Sequence, residues 1–317
     1  MPDNESLLIY ILRIVAITCI VVCHLLQYYQ NIWCQIFNIG VQVFWAMSGY
    51  LYGRKTIDNW DVFYKRRLIK VYVPFIVWTF GVIFVYYFKG VDISINHVGT
   101  YFFSFQGETH FFARYGLKGL GHLWFLTSLW LCYFSLPLLQ YLKKNYKLYS
   151  SWVLFFLSLT ILLYGSIPFL SSYYLWIFAF SYIYGTLPKG DRKKILKIVV
   201  YLIASFFVFT TTWEHLKDPS YWRLHHTFIG IALLILTVDF SNVVKVKKLE
   251  GLFLIKTSRF SYFIYLTHMV WIFGSLSLIG YIENGLLNIL MVLIATILSS
   301  IILYYLYNKT LYLLHIK

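Results

Sequence analysis

The chain has 317 residues, of which 60% are hydrophobic and only 12% charged, with a mean hydropathy of +0.69. A soluble domain carries roughly 25% charged residues, so this composition excludes an ordinary soluble enzyme, a disordered protein and a nucleic-acid-binding domain. Aromatic residues make up 21%, which suits a chain that crosses two membrane–water interfaces many times. The formal net charge of +15 has to be explained by where the basic residues lie.

A membrane helix needs about 20 mostly apolar residues. Ten stretches meet or approach that length: 7–29, 36–53, 71–88, 121–142, 149–166, 173–187, 195–213, 226–241, 260–279 and 287–307. The first contains Arg13 and His24 and has no small-residue cleavage site behind it, so it reads as a retained helix and not a signal peptide. With the N-terminus placed inside, the outer segments hold five basic residues, Lys89, Arg114, Lys118, Lys217 and Arg223. Arg13 lies within a span, and the remaining 21 of the 27 are inside. That bias predicts an all-α, polytopic membrane helical bundle of about ten transmembrane helices with both termini cytoplasmic, and it explains most of the net charge without nucleic acid. No Pro-, Gly- or Ser-rich run divides the chain and no repeat of fixed period is visible, so residues 1–317 read as one integral-membrane domain with no appended soluble domain. The four cysteines (Cys19, Cys23, Cys34, Cys132) form no CxxC and read as small core residues.

Arg13 and His24 are the unusual residues of the first span. An ionisable side chain there costs several kcal/mol unless it is paired or faces a polar cavity. Eleven residues at 100° each return to within about 20° of the same face, roughly 16 Å along the axis. One face of the helix therefore carries a cation near the inner leaflet and an imidazole in the outer half. That is a way to line a polar passage, against the simpler readings of a snorkelling arginine and a hydrogen-bonded core histidine.

Arginine, ten residues and histidine in the first helix resembles the signature of the integral-membrane acyltransferase family 3. Further blocks agree, in order. Phe44-Trp45-Ala46-Met47-Ser48-Gly49-Tyr50-Leu51 is similar to that family's second-helix run. Phe63-Tyr64-Lys65-Arg66-Arg67-Leu68-Ile69-Lys70 followed by Tyr72-Val73-Pro74 is similar to its basic loop and the proline opening the third helix. His122-Leu123-Trp124-Phe125-Leu126 and Ser261-Tyr262-Phe263-Ile264-Tyr265-Leu266-Thr267-His268 are similar to two later motifs. The family's basic loop often reads Arg-x-x-Arg, whereas this chain has Arg67-Leu68-Ile69-Lys70, which keeps the charge but loses a bidentate fork.

The resemblance implies an O-acyltransferase that takes an acyl group, by default acetyl, from cytoplasmic acyl-CoA to a hydroxyl of an envelope or extracellular glycan. On that reading Lys65, Arg66, Arg67 and Lys70 hold the phosphates of acetyl-CoA, Arg13 contacts the donor further in, and His24 is the catalytic base or the carrier of an acyl-histidine relay. His122, Trp124, His268 and Trp222 are candidates for orienting the acceptor. Tyr262, Tyr265 and His268 share a broad face at i, i+3 and i+6, with the tyrosines expected as hydrogen-bonded bundle contacts. Ser48 and Gly49 are expected to permit close helix approach, and Asp239 to face the inner interface.

Two outer segments supply candidate acceptor surfaces. Residues 89–120 hold Asp92, His97, Glu108, His110 and Arg114, and residues 214–225 hold Glu214, His215, Tyr221, Trp222, Arg223 and His225. Convergence of Glu108, His110, His122, His225 and His226 on a metal has no supporting ligand spacing, and no metal is predicted. The expected partners are acyl-CoA, a glycan and the lipid bilayer, with no nucleic acid. Richness in Lys, Ile, Asn and Tyr points to an AT-rich bacterial genome, and with the apolar spans the expected location is the bacterial cytoplasmic membrane. The alternative is a transporter or flippase for a lipid-linked glycan or polysaccharide, which ten helices with buried charge fit equally well.

Overall fold

The computed structural model describes residues 4–104, 116–145, 172–187, 194–241, 243 and 248–313. The expected span at 149–166 lies outside them, as do Glu108, His110 and Arg114. Helices account for nearly all of the secondary structure, with no strand among the described residues. Five helical stretches there are long and apolar enough to cross a membrane: Asn4–Tyr28, Trp60–Phe88, Gly121–Asn145, Tyr221–Phe240 and Gly285–Leu313. The chain divides into two compact units, Met1–Thr56 with Ser128–Ser258, and Ile57–Thr127 with Arg259–Lys317.

In the first unit, α1 (Asn4–Tyr28) is followed by a single turn, α2 (Cys34–Phe37), and by α3 (Gly40–Gly53). The apolar stretch 36–53 is thus broken at Asn38–Ile39 instead of forming one helix. α7 (Trp124–Asn145) enters this unit from Ser128 onward. Then come α8 (Ser172–Thr186), α9 (Lys194–Phe209), α10 (Pro219–Phe240) and the beginning of α11 (Lys248–Ile272).

α3 and α8 approach closely because both present glycine at the crossing. A Cβ on Gly49 would stand 2.2 Å from the Phe178 carbonyl oxygen, one on Gly53 2.0 Å from that of Tyr182, and one on Gly185 2.3 Å from that of Tyr50. Such contact maximises backbone packing where lipid leaves no hydrophobic drive between helices. Aromatic rings close the seam, with Trp45 and Tyr174 centroids 3.7 Å apart and Tyr50 and Tyr184 5.9 Å apart.

The start of α1 is tied to the end of α3 through Glu5. This buried carboxylate accepts from Tyr50 Oη at 2.5 Å and pairs with Arg54. Asn4 Nδ2 donates to the Ser241 carbonyl at 2.6 Å. α9 and α10 are pinned near both ends. Lys197 pairs with Asp239, which also accepts from Tyr201 Oη at 3.1 Å, and Tyr221 Oη donates to the Phe207 carbonyl at 2.6 Å. Asp239 is therefore held by a cation and a phenol, and its side chain keeps 32% exposure.

In the second unit, α4 (Trp60–Arg67) runs through a π-helical turn (Leu68–Tyr72) into α5 (Val73–Phe88). Asn59 caps α4, its side chain accepting from Val62 N–H at 2.9 Å. The π turn follows from Pro74. Proline has no N–H, so the Lys70 carbonyl loses its ordinary partner, and Val73 N–H reaches Leu68 O five residues back. After α6 (Ile95–Phe102) the chain returns through residues 116–120 to a 3-10 turn, Gly121–Leu123, that opens α7.

That return is built around Tyr86, which donates to the Lys118 carbonyl at 2.9 Å. Gly119 and Gly274 flank it at φ +85° and +90°, and a Cβ on Gly274 would lie 2.5 Å from both Tyr86 Oη and Lys118 O. α11 and α12 (Gly285–Leu313) pack through small polar residues, with Thr267 and Ser300 hydroxyls at 2.9 Å and Trp271 Nε1 donating to Ser299 Oγ at 3.0 Å. α11 ends at Ile272 and begins twelve residues before the apolar run that announces it.

Candidate functional site

α1 is unbroken from Asn4 to Tyr28, so Arg13 and His24 do share a face at about 16 Å separation. Both are half-buried. The Arg13 guanidinium lies 5.9 Å from the Tyr10 ring centre, within cation–π range. His24 Nδ1 lies 2.6 Å from Gln27 Oε1, one turn further along. The same end of the first unit carries Gln35, whose backbone carbonyl accepts from His226 Nε2 at 2.5 Å. The Trp222 ring stands 5.6 Å from His226, and Trp33 meets Trp213 edge-on at 6.1 Å. Trp222 Nε1, His225 Nδ1 and Gln35 Oε1 are buried with no partner among the described residues, so this end offers both a donor and an acceptor to a polar ligand. His215 and Tyr221 are committed locally: their rings stack at 4.7 Å, and Tyr221 bonds Thr210, Thr211 and Phe207.

The second unit holds the basic cluster. Lys65, Arg66 and Lys70 are exposed, whereas Arg67 is half-buried over the Phe63 ring at 5.6 Å. Lys65, Arg66 and Arg67 form the last turn of α4, which continues directly into the π turn. Lys70 lies on the π turn, so its direction departs from a 3.6-residue repeat. The π turn is anchored by Tyr262 Oη, which donates to the Val71 carbonyl at 2.6 Å.

The same unit brings His122 and His268 together, with ring centres 4.8 Å apart and planes at 70°. Both are buried, at 4% and 0% exposure. His268 Nδ1 lies 3.0 Å from Ile264 O and 2.9 Å from Tyr265 O. Carbonyls only accept, so Nδ1 carries the hydrogen and Nε2 the lone pair. Tyr265 Oη donates to the His122 carbonyl. The two tyrosines are bundle contacts, while the histidines face each other. Trp124 opens α7 beside them, half-buried. His97 caps α6, accepting from Ser94 N–H at 3.0 Å. The four cysteines are free thiols. Among the described residues no group of three or more His, Cys, Asp or Glu side chains is placed to hold a metal.

Gln27, Gln35 and His226 join the first-unit site without being singled out as acceptor or catalytic groups by motif. Gln27 is the one with a readable signal, because it lies three residues after His24 on a helix. The π turn also has one, in Pro74 following a polar helical segment.

No curated protein and no solved structure matches the chain. The family model described as an acyltransferase domain matches residues 9–305, a range that includes Arg13, His24, the basic cluster, both members of the histidine pair and Trp222. The chain therefore belongs to the acyltransferase family 3 and is a multi-pass membrane acyltransferase.

Proposed function

We propose that this acyltransferase moves an acyl group, with acetyl expected, from cytoplasmic acyl-CoA to a hydroxyl of a cell-surface or secreted polysaccharide, in the cytoplasmic membrane of a bacterium. The observation that carries the reading is the unbroken α1 with Arg13 and His24 on one face. An extended pantetheine arm is of the order of the roughly 16 Å between them. His24 takes the proton of the acceptor hydroxyl as it attacks the thioester, and Arg13 pairs with polar groups of the donor. Trp222, in the unit that holds His24, positions the acceptor by ring stacking and hydrogen bonding. Mass spectrometry of surface glycans from cells with and without this chain tests the reading. An acyl mass increment dependent on His24 is the expected result, and glycan transport without acylation would overturn it in favour of a transporter.

The donor side is tested by charge. Lys65, Arg66 and Lys70 are exposed and suit the pyrophosphate and ribose phosphate of coenzyme A. Replacing Arg66, Arg67 and Lys70 together by glutamine is expected to raise the KM for acetyl-CoA about tenfold at low salt, with the difference shrinking as ionic strength rises. An unchanged KM at low salt would leave these residues only a role in orienting the chain.

Ten spans with both ends inside would put 21 of 27 basic residues in the cytoplasm. Single cysteines at positions 96 and 220 should then react with a membrane-impermeant reagent in intact cells. Labelling only after the membrane is opened would refute this topology.

A further inference from the structure

We infer that Gln27 is the positioning residue of His24: its side-chain oxygen accepts the hydrogen of Nδ1 and so leaves the Nε2 lone pair to act as the base. The inference rests on His24 being the base proposed above. Asn31 N–H bonds the Leu26 carbonyl at 2.9 Å, and Gln30 N–H bonds the Gln27 carbonyl at 3.0 Å. This pair of bonds closes a Schellman turn. Gln30 occupies its left-handed position, at φ 53°, where glycine is usual and a side chain costs roughly 1–2 kcal/mol. The backbone of Gln27 is thereby fixed at the last turn of the helix, by a conformation the sequence tolerates at a cost.

From that anchor the Gln27 side chain reaches back one turn to His24, with Oε1 2.6 Å from Nδ1. An amide oxygen only accepts, so the hydrogen lies on Nδ1. The second-nitrogen bond of a histidine decides which nitrogen is left basic. A carboxylate in this place would add a charge within the span, whereas the amide offers the same acceptor without one.

The proton and the electrons then balance without any further reagent. Nε2 takes the acceptor's hydroxyl proton as the oxygen bonds the thioester carbonyl carbon. The C–S bond breaks, its electron pair leaves with sulfur, and Nε2–H returns the proton to the thiolate. The products are an ester and the free thiol of coenzyme A, and Gln27 holds the imidazolium orientation throughout.

The test uses the full chain in lipid nanodiscs, labelled with nitrogen-15 histidine, with the His24 signals identified by their loss in His24→Gln. The wild type is expected to show His24 protonated on Nδ1 and bare at Nε2. Gln27→Leu should shift it toward Nε2–H, and Gln27→Glu should keep Nδ1–H. With acetyl-CoA as the donor, a cell-surface polysaccharide extract as the acceptor and thiol release as the readout, Gln27→Leu should lower kcat at least about tenfold at unchanged KM for acetyl-CoA, and Gln27→Glu should recover most of it. An Nε2–H tautomer in the wild type, or a tautomer and a kcat that Gln27→Leu leaves unchanged, would overturn the inference. Turnover retained in His24→Gln overturns the catalytic reading beneath it. A wild type without acetyl-CoA turnover does the same, and the tautomer measurement reads the Gln27–His24 contact separately from either result.

Discussion

Replacing His24 by glutamine is expected to abolish acyl transfer while leaving the folded protein intact. Glutamine keeps a hydrogen-bonding side chain of similar reach but cannot accept a proton at neutral pH. Loss of a general base costs about 10²–10⁴-fold in rate, which corresponds to roughly 3–5 kcal/mol of barrier. The stability side is small by comparison. His24 is half-buried on α1, its hydrogen bond to Gln27 is local, and a net hydrogen bond contributes about 1 kcal/mol. Rate and stability should therefore separate. Product formation would fall by at least two orders of magnitude, with the melting profile in detergent shifted by only a few degrees. Near-full transferase activity in the glutamine variant would make His24 a structural hydrogen-bonder.

The second large effect lies in the α3–α8 seam and concerns folding alone. Gly53→Val is expected to destabilise the first unit by roughly 3 kcal/mol, with a marked loss of folded material. A Cβ at this position would stand 2.0 Å from a backbone carbonyl oxygen, and the atoms met at Gly49 and Gly185 are also backbone. No side-chain rotation relieves such a clash, so one helix must move away from the other along its whole length. Interfaces of close-packed helices respond in this all-or-none way. Alanine at the same position also introduces the Cβ and should show most of the effect. Equal thermal stability of wild type and Gly53→Ala would remove the close approach from the account.

Much of the first unit's arrangement was legible because its signals are local. Gly49 announced a close approach before the partner helix was known, and Arg13 and His24 could be put on one face by counting. The interruption at Asn38–Ile39 was not legible, since the residues around it are apolar enough to continue a helix and the break is decided by what α3 packs against. In the second unit Tyr262 and Tyr265 were readable as bundle contacts, but their acceptors, the carbonyls of Val71 and His122, lie far away in sequence. The pairing of His122 with His268 is likewise tertiary, and no spacing within either motif encodes it. The direction of Lys70 was not legible, because counting at 3.6 residues per turn presumes a regular helix and Pro74 prevents one.

That π turn makes chain length itself a carrier of information. In an α-helix one residue corresponds to about 100° of rotation. A π turn holds one residue more than the α turn it replaces, so deleting one residue between Leu68 and Tyr72 would close it to ordinary spacing, whereas a deletion at the start of α5 would turn every later side chain of that helix by that angle. Phe84 and Tyr87, which face outward, would then take the buried places of Ile83 and Tyr86, while Val82 and Tyr86 would take the exposed places of Gly81 and Val85. A one-residue insertion would turn the helix the other way. Within α5, then, a conservative substitution is a milder change than an insertion or deletion, and the π turn is the place where a deletion is best absorbed.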